Sequence, residues 1–495
     1  MKKFYDYIFS KKTILLITFI VVSVMNLIFA FNHEYWRDET QAWLIARDCS
    51  LSADSLFTVT SYEGHPVLWF LILMPFAKLG VSVEILKYLT WFFVTVSLYL
   101  FMFKTDIPAL LRVLIALTPA YVYFYVVPAR SYSLASLLII CISVVYEKRS
   151  NKPILYGLLL SGLLQTLTIM GGFVTALGFS WFIETIIFLI QKKDKKMLVK
   201  NIVGLFILLA SALFLLWEFR YTPISGDSHS KKETIMMLWE QYLFGYKIIF
   251  GNIFNKIAII TTSVVVMLFM LNKKSRIPVI ITCCGVMWQV YIYAFVYSNA
   301  NHRVITWIYM MLFCVIVSYI YKESIYSMKN LSLVVIMCVI IAFSWKYEWR
   351  DLIKQDINPD YCFSYSKEVA QKITGLPEDS IILSLSADKD SSVVAQVDKN
   401  HVVYDVFTGR VATFADRNPE CIRKMTIKEL YDRVSHSYSG TGNIYAIVSA
   451  DGCDVENFSD YIKEGHDELE IIYESSHKGI FEDFYLVSFN LINNG

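Results

Sequence analysis

Asp38 and Glu39 stand side by side in EYWRDETQAWLIARD, residues 34–48, directly after an apolar run over 13–31. A carboxylate placed where a chain leaves a membrane can serve as a general base. It needs an acceptor hydroxyl within hydrogen-bond reach and partial shielding from water to tune its hold on a proton. Other polar heads flank later apolar runs: His65 in YEGHPVLWF, Arg130 in VVPARSYSL, and His302 with Arg303 in SNANHRVITW. An arginine fork binds phosphate oxygens in pairs. An acid pair on one side and arginines on the other suit transfer of a group away from a phosphate.

Each of these residues also has a purely structural reading. Asp38 and Gln41 spell D-x-x-Q, a capping box that opens a helix running through Asp48. Glu39 would then add favourable charge near that helix's N-terminus. Gly64 and Pro66 mark a turn around His65, and Pro66 suits the first turn of a helix. Arg130 and Arg303 would be interfacial anchors whose stems lie along apolar surface.

The elements that must position these residues are membrane spans. The 495 residues are 56% hydrophobic and only 18% charged, with a mean hydropathy of +0.48. A soluble chain of this length carries more charge and fewer long apolar runs. Eleven spans are expected, over 13–31, 84–103, 108–127, 131–146, 153–170, 172–190, 198–218, 257–271, 277–297, 303–321 and 328–345. The run 66–79 covers only about 21 Å as a helix and is expected to rest in the interface. With that choice all five basic clusters fall on one side: 2–12, EKRSNK, QKKDKK, NKKSR and 322–329. The positive-inside rule makes that side the cytoplasm. The loop 32–83, the turn at 127–131, the loop 219–256 and the turn at 297–303 are then outside. Gly171 and Gly172 are expected to form a tight turn between spans, and 219–256 to hold an amphipathic helix lying on the membrane.

The net charge of +2 hides a division. Residues 346–495 hold 26 acids and 15 bases, whereas 1–345 hold 17 acids and 30 bases. The fold class is therefore a polytopic α-helical membrane protein, with a transmembrane domain over 1–345 and a soluble extracytoplasmic α/β domain over 346–495. IILSLSA, HVVYDVF, NIYAIVSA and FEDFYLVSFN read as strands, and 426–436 as a helix opened by a Thr426–Glu429 capping box. The nine cysteines show no metal-binding spacing. The five in apolar runs read as packing residues, and the tail's three allow at most one internal disulfide.

RDETQAWLIARD, EGHPVLWFL and PARSYSL, in that order, resemble the GT-C membrane glycosyltransferases, in particular the bacterial aminoarabinose- and mannose-type transferases. The likeness covers about residues 1–150 by motif and the remainder by topology. It implies an enzyme of the plasma membrane that takes a sugar from a polyprenyl-phosphate carrier. The sugar passes to a cell-envelope glycan, lipid or protein on the outer face. Asp38 maps to the catalytic base and Glu39 to a residue positioning the acceptor or the helix. Arg130, with Tyr132 in the same motif, and Arg303 map to the binding of the carrier phosphate, joined by His65 and His302. No cofactor is expected for a monophosphate carrier. A diphosphate carrier would call for a divalent ion at Asp38 and Glu39. Membrane lipids are the expected surroundings, and no nucleic-acid partner is expected.

The main alternative is a lipid or polysaccharide transporter of the cell envelope. Such a protein would carry paired intramembrane charges or broken helices near mid-bilayer, and the spans offer Glu184. A non-catalytic surface scaffold would leave Asp38, Arg130 and Arg303 unexplained.

Overall fold

The computed structural model describes residues 11–118, 120–191, 194–221, 231–250, 275–296, 303, 306–320, 363–385, 387–416, 426–438, 443–449, 469–475, 482–489 and 491. The chain is mostly helical with a small sheet. It divides into two compact units. The first comprises Met1–Ala30, Gly64–Leu68 and Lys87–Ile353; the second comprises Phe31–Glu63, Trp69–Leu86 and Lys354–Gly495. Most of the loop 32–83 thus folds with the acidic tail, whereas the sequence grouped that loop with the spans.

Five described helices are long and apolar enough to cross a membrane, those lying within Lys12–Asn32, Ile85–Lys104, Thr168–Ile190, Lys195–Glu218 and Arg276–Phe295. In chain order the first half holds α1 (Lys11–Asn32), α2 (Arg37–Asp48), α3 (Leu56–Glu63), α4 (Leu68–Lys78), α5 (Ile85–Lys104), α6 (Ala109–Ala116) and α7 (Tyr132–Val145). Then come α8 (Pro153–Leu164), α9 (Gly171–Ile190), α10 (Lys195–Glu218), α11 (Lys231–Phe250), α12 (Arg276–Phe295) and α13 (Thr306–Ile320). The expected spans over 257–271 and 328–345 lie outside the described residues. The run 108–127 is not one helix. It is α6 followed by a single π-helical turn, Ala120–Phe124. α11 falls inside the expected 219–256 segment and exposes Ile235, Met236 and Trp239.

The surface of α10 is suited to contact with lipid. Val199, Ile202, Phe206, Leu209, Leu213 and Leu216 are all more than half exposed, an apolar stripe that water would not tolerate at this length. The other side of α10 meets α8 at Gly157 and Gly204, where a Cβ on Gly157 would fall 2.5 Å from the Gly204 carbonyl oxygen. Small residues permit this backbone approach, the usual device of helix packing in lipid. Gly171 and Gly172 do the same and do not form the expected turn. They open α9, where a Cβ on Gly172 would fall 2.2 Å from Trp288 Cβ of α12. The chain turns earlier, at Gln165, which ends α8. Cys283 and Cys284, expected to pack, are exposed on α12, whereas Cys141 is partly buried and Cys314 buried.

The second unit is built on a sheet of β1 (Ile381–Ser384), β2 (Val403–Asp405), β3 (Ile444–Ser449), β4 (Leu469–Glu474) and β5 (Phe484–Phe489). Its order is β2-β1-β3-β5-β4. β1 is parallel to β2 and β3, and β5 is antiparallel to β3 and β4. Alternation sorts the side chains onto two faces. Ile382, Ile447, Phe484 and Leu486 join Val369 and Ile373 of α14 (Ser366–Thr374) and Val393 of α15 (Ala387–Val394) in one core. Leu383, Ala446, Val448 and Val487 join Leu430 and Val434 of α16 (Ile427–Ser437) in the other. Leu44 of α2, with no solvent exposure, belongs to the first of these cores.

The Thr426 box forms as expected. Thr426 N–H donates to Glu429 Oε2 at 2.8 Å, and Glu429 N–H donates to Thr426 Oγ1 at 3.3 Å. Thr426→Ala is expected to destabilise the second unit by about 1 kcal/mol, read as a lower denaturation midpoint of the tail.

Candidate active site

α2 carries Asp38 and Glu39, but the expected D-x-x-Q box does not form. The N-cap is Trp36, so Asp38 is the second helical residue and Glu39 the third. Glu39 Oε2 accepts the Trp36 N–H at 3.0 Å. The indole of Trp36 has only a donor and cannot return a bond to the helix. The box is therefore half of the usual one.

Glu39 has no solvent exposure. Its Oε2 also lies 3.1 Å from His33 Nε2, and the His33 ring packs edge-on to Phe363 at 4.7 Å. A buried carboxylate engaged with a backbone N–H and an imidazole holds the helix start. Asp38, one residue earlier, is half-buried. Gln41, expected to cap, instead bridges distant segments. Its amide donates to Glu63 Oε1 and to the Ala415 carbonyl, both at 2.6 Å, and its Oε1 accepts the Ala415 N–H at 2.8 Å.

The helical unit gathers three other expected residues. Gly64 follows α3 at φ +71°, the left-handed conformation that favours glycine after a helix. Pro66 precedes α4 by two residues, so it leads into the helix without being its first residue. His65 between them reaches Arg130, whose Nη2 lies 2.9 Å from His65 Nε2. The guanidinium must donate, so Nε2 is the acceptor and the ring proton sits on Nδ1. Arg130 is 8% exposed. It follows the buried stretch 120–127 and precedes α7. Its N–H bonds the Pro128 carbonyl at 2.7 Å, and its carbonyl accepts from Ser133 Oγ at 3.2 Å. The guanidinium carbon lies 5.7 Å from the centre of the buried Tyr132 ring.

Arg303 is half-buried at the head of α13. Its carbonyl accepts from Thr306 Oγ1 at 2.7 Å, and that hydroxyl oxygen also lies 2.9 Å from Oε1 of the buried Gln289 of α12. His302 lies outside the described residues. His65, Arg130, Tyr132 and Arg303 therefore belong to the helical unit, and Asp38 and Glu39 to the unit of the loop and tail.

Among the described residues no group of three or more His, Cys, Asp or Glu is disposed to hold a metal ion. Glu482 is a site residue that sequence reasoning missed. Its Oε1 accepts the N–H of Arg37, the residue before Asp38, at 2.9 Å. A separation of 445 residues leaves no local signal for that contact. No protein-family model matches the chain, and no curated protein sequence matches it either.

Proposed function

We propose that the chain is an integral membrane glycosyltransferase. It moves a sugar from a polyprenyl-phosphate carrier to a cell-envelope acceptor on the outer face of the plasma membrane, with inversion. Eleven segments cross the bilayer in this reading, and the basic clusters face the cytoplasm. The observation that carries it is the Arg130 cluster. Two residues singled out in separate motifs, His65 and Arg130, meet at 2.9 Å beside Tyr132. The bond to the His65 ring orients the guanidinium. A buried, oriented guanidinium suits a lipid phosphate whose charge grows as the sugar leaves.

In the proposed reaction an acceptor hydroxyl attacks the anomeric carbon. Asp38 takes the hydroxyl proton, the glycosyl–oxygen bond to the carrier breaks, and the lipid phosphate departs from the opposite face with the bonding pair. Arg130 and Arg303 balance the charge on that leaving group. Glu184, the acid that a transporter reading would need, is engaged by Arg149, which donates from Nε to Glu184 Oε2 at 2.9 Å and from Nη2 to Oε1. Glu184 lies in the C-terminal half of α9, six residues before Ile190. In this reading the Arg149–Glu184 ion pair serves as a structural clasp.

The test uses membranes containing the full chain and a panel of polyprenyl-phosphate-linked hexoses and pentoses labelled in the sugar. Loss of label from the lipid fraction is expected for at least one donor. Arg130→Ala should lower that rate about 10²-fold, in the range seen on removing one oxyanion-binding donor. No turnover of any donor, or an unchanged rate in Arg130→Ala, would count against the proposal.

A further inference from the structure

The carboxyl ends of parallel strands are where open α/β sheets usually receive ligands. In the tail that edge is occupied by the chain's own loop. Glu482 lies two residues before β5, whose Phe484 pairs with Ser449 at the carboxyl end of β3. The Glu482 backbone is pinned there, its carbonyl accepting the Tyr365 N–H at 3.3 Å. Its Oε2 accepts from Ser364 and from Ser392 of α15, each at 2.8 Å, and Oε1 accepts the Arg37 N–H. The side chain is 4% exposed. A second tie lies just before the helix, where Ser366 Oγ donates to the Tyr35 carbonyl at 2.8 Å and itself accepts from Gln396 Nε2 at 2.8 Å.

The grip continues along one face of α2. Arg37, Gln41, Leu44 and Asp48 recur at intervals of three to four residues, the spacing of one helix face. Arg37 is bound through its N–H, Gln41 through Ala415, Leu44 through the core, and Asp48 through the Thr413 hydroxyl. Asp38 is about 100° around the axis from Arg37 and stands beside the gripped face.

We propose that Glu482 is the positioning residue for Asp38: its carboxyl, seated at the carboxyl end of the tail's parallel strands, fixes the first turn of the helix from which Asp38 projects. The tail is then a clamp on the catalytic loop. The clamp follows from the contacts alone, and its catalytic consequence rests on the transferase reading.

Two kinds of variant separate the arms of the test. Glu482→Ala removes the acceptor. Arg37→Pro removes only the N–H and the Arg37 side chain, because proline is favoured at the first helical position and the extended Trp36 suits a following proline. Glu482→Gln keeps an acceptor oxygen, and Arg37→Ala keeps the N–H. Hydrogen exchange of residues 37–41 is followed in the full chain in lipid nanodiscs, with β3 and β5 as internal references. Initial rates are followed in membranes with the labelled polyprenyl-phosphate sugars.

Glu482→Ala and Arg37→Pro are expected to raise exchange at 37–41 about tenfold or more over the references. They should lower kcat at least tenfold while KM for the donor changes little, because orientation of the base and not donor binding is lost. Glu482→Gln and Arg37→Ala should stay near wild type in both. Unchanged exchange in both disruptive variants overturns the clamp. Faster exchange with unchanged kcat overturns the positioning role. Asp38→Asn turning over at the wild-type rate overturns the transferase reading and the positioning role with it, whereas the exchange arm still reads the clamp.

Discussion

Asp38→Asn is expected to lower turnover of the labelled polyprenyl-phosphate sugar by about 10³-fold, within the range that a positioned general base supplies. The amide keeps the size and place of the carboxyl on the second residue of α2 but cannot accept a proton from the acceptor hydroxyl. The magnitude is what separates catalysis from structure. Losing a negative charge from a helix's first turn costs about 0.3–1 kcal/mol. A 10³-fold loss of rate corresponds to about 4 kcal/mol of barrier. A charge effect on the helix therefore cannot mimic loss of the base. Asp38→Glu, which keeps the charge and moves it outward by one methylene, should recover only part of the rate. Glu39→Gln makes the contrast. Glu39 is fully buried against His33 and the Trp36 N–H, so its substitution should loosen α2 as well as slow turnover. Asp38→Asn should slow turnover far more than it raises α2 exchange, which should change no more than about fivefold. A rate near wild type in Asp38→Asn would remove Asp38 from the mechanism.

What the sequence disclosed about this arrangement depended on distance along the chain. The Thr426–Glu429 box spans four residues and was legible. So were β1, β3 and β5, because a short apolar run is a local signal. The start of α2 was not. Asp38 is a preferred cap and Trp36 is not, so the local signal favoured DETQ over WRDE. The choice follows contacts from the tail, Ser366 on the Tyr35 carbonyl and Glu482 on the Arg37 N–H. His65 and Arg130 were each identifiable as a polar group beside an apolar run, but their meeting needs the fold. Gly171 and Gly172 read as a turn because paired glycines usually break helices. Close packing against Trp288 overrode that preference. The grouping of the loop 32–83 with the tail had no sequence signal, since the contacts that create it join segments separated by more than three hundred residues.

Glu482 also gives the second unit a stability that falls as pH rises. Burial is the main influence and pushes its carboxyl up. The Arg37 N–H and the Ser392 and Ser364 hydroxyls pull it part of the way back, with a further contribution from the Arg37 charge, leaving it at about 7 against an ordinary 4.5. A carboxyl whose folded value is raised binds its proton more tightly in the folded state than in the unfolded chain. Its contribution is therefore fully present below pH 4.5, declines as pH climbs toward 7, and is gone above that. From pH 5 to pH 8 the loss comes to about 2.5 kcal/mol, close to the net stabilisation of several hydrogen bonds. His401 acts in the same direction. Burial pushes its imidazole down, but Asp398, 2.9 Å from Nδ1, outweighs burial and raises it. The measurement must therefore be a difference. Denaturation midpoints of the full chain are compared at pH 5 and pH 8 for wild type and Glu482→Gln, whose neutral amide does not titrate. Wild type should lose about 2.5 kcal/mol more than the variant across that interval. Equal losses would mean that the carboxyl is not held protonated at the seat of α2. The same neutral carboxyl can keep an acceptor oxygen for the Arg37 N–H while sharing its proton with a serine hydroxyl. The clamp on Asp38 is then tightest where the proton is bound, and in wild type it should loosen at alkaline pH before the sheet does.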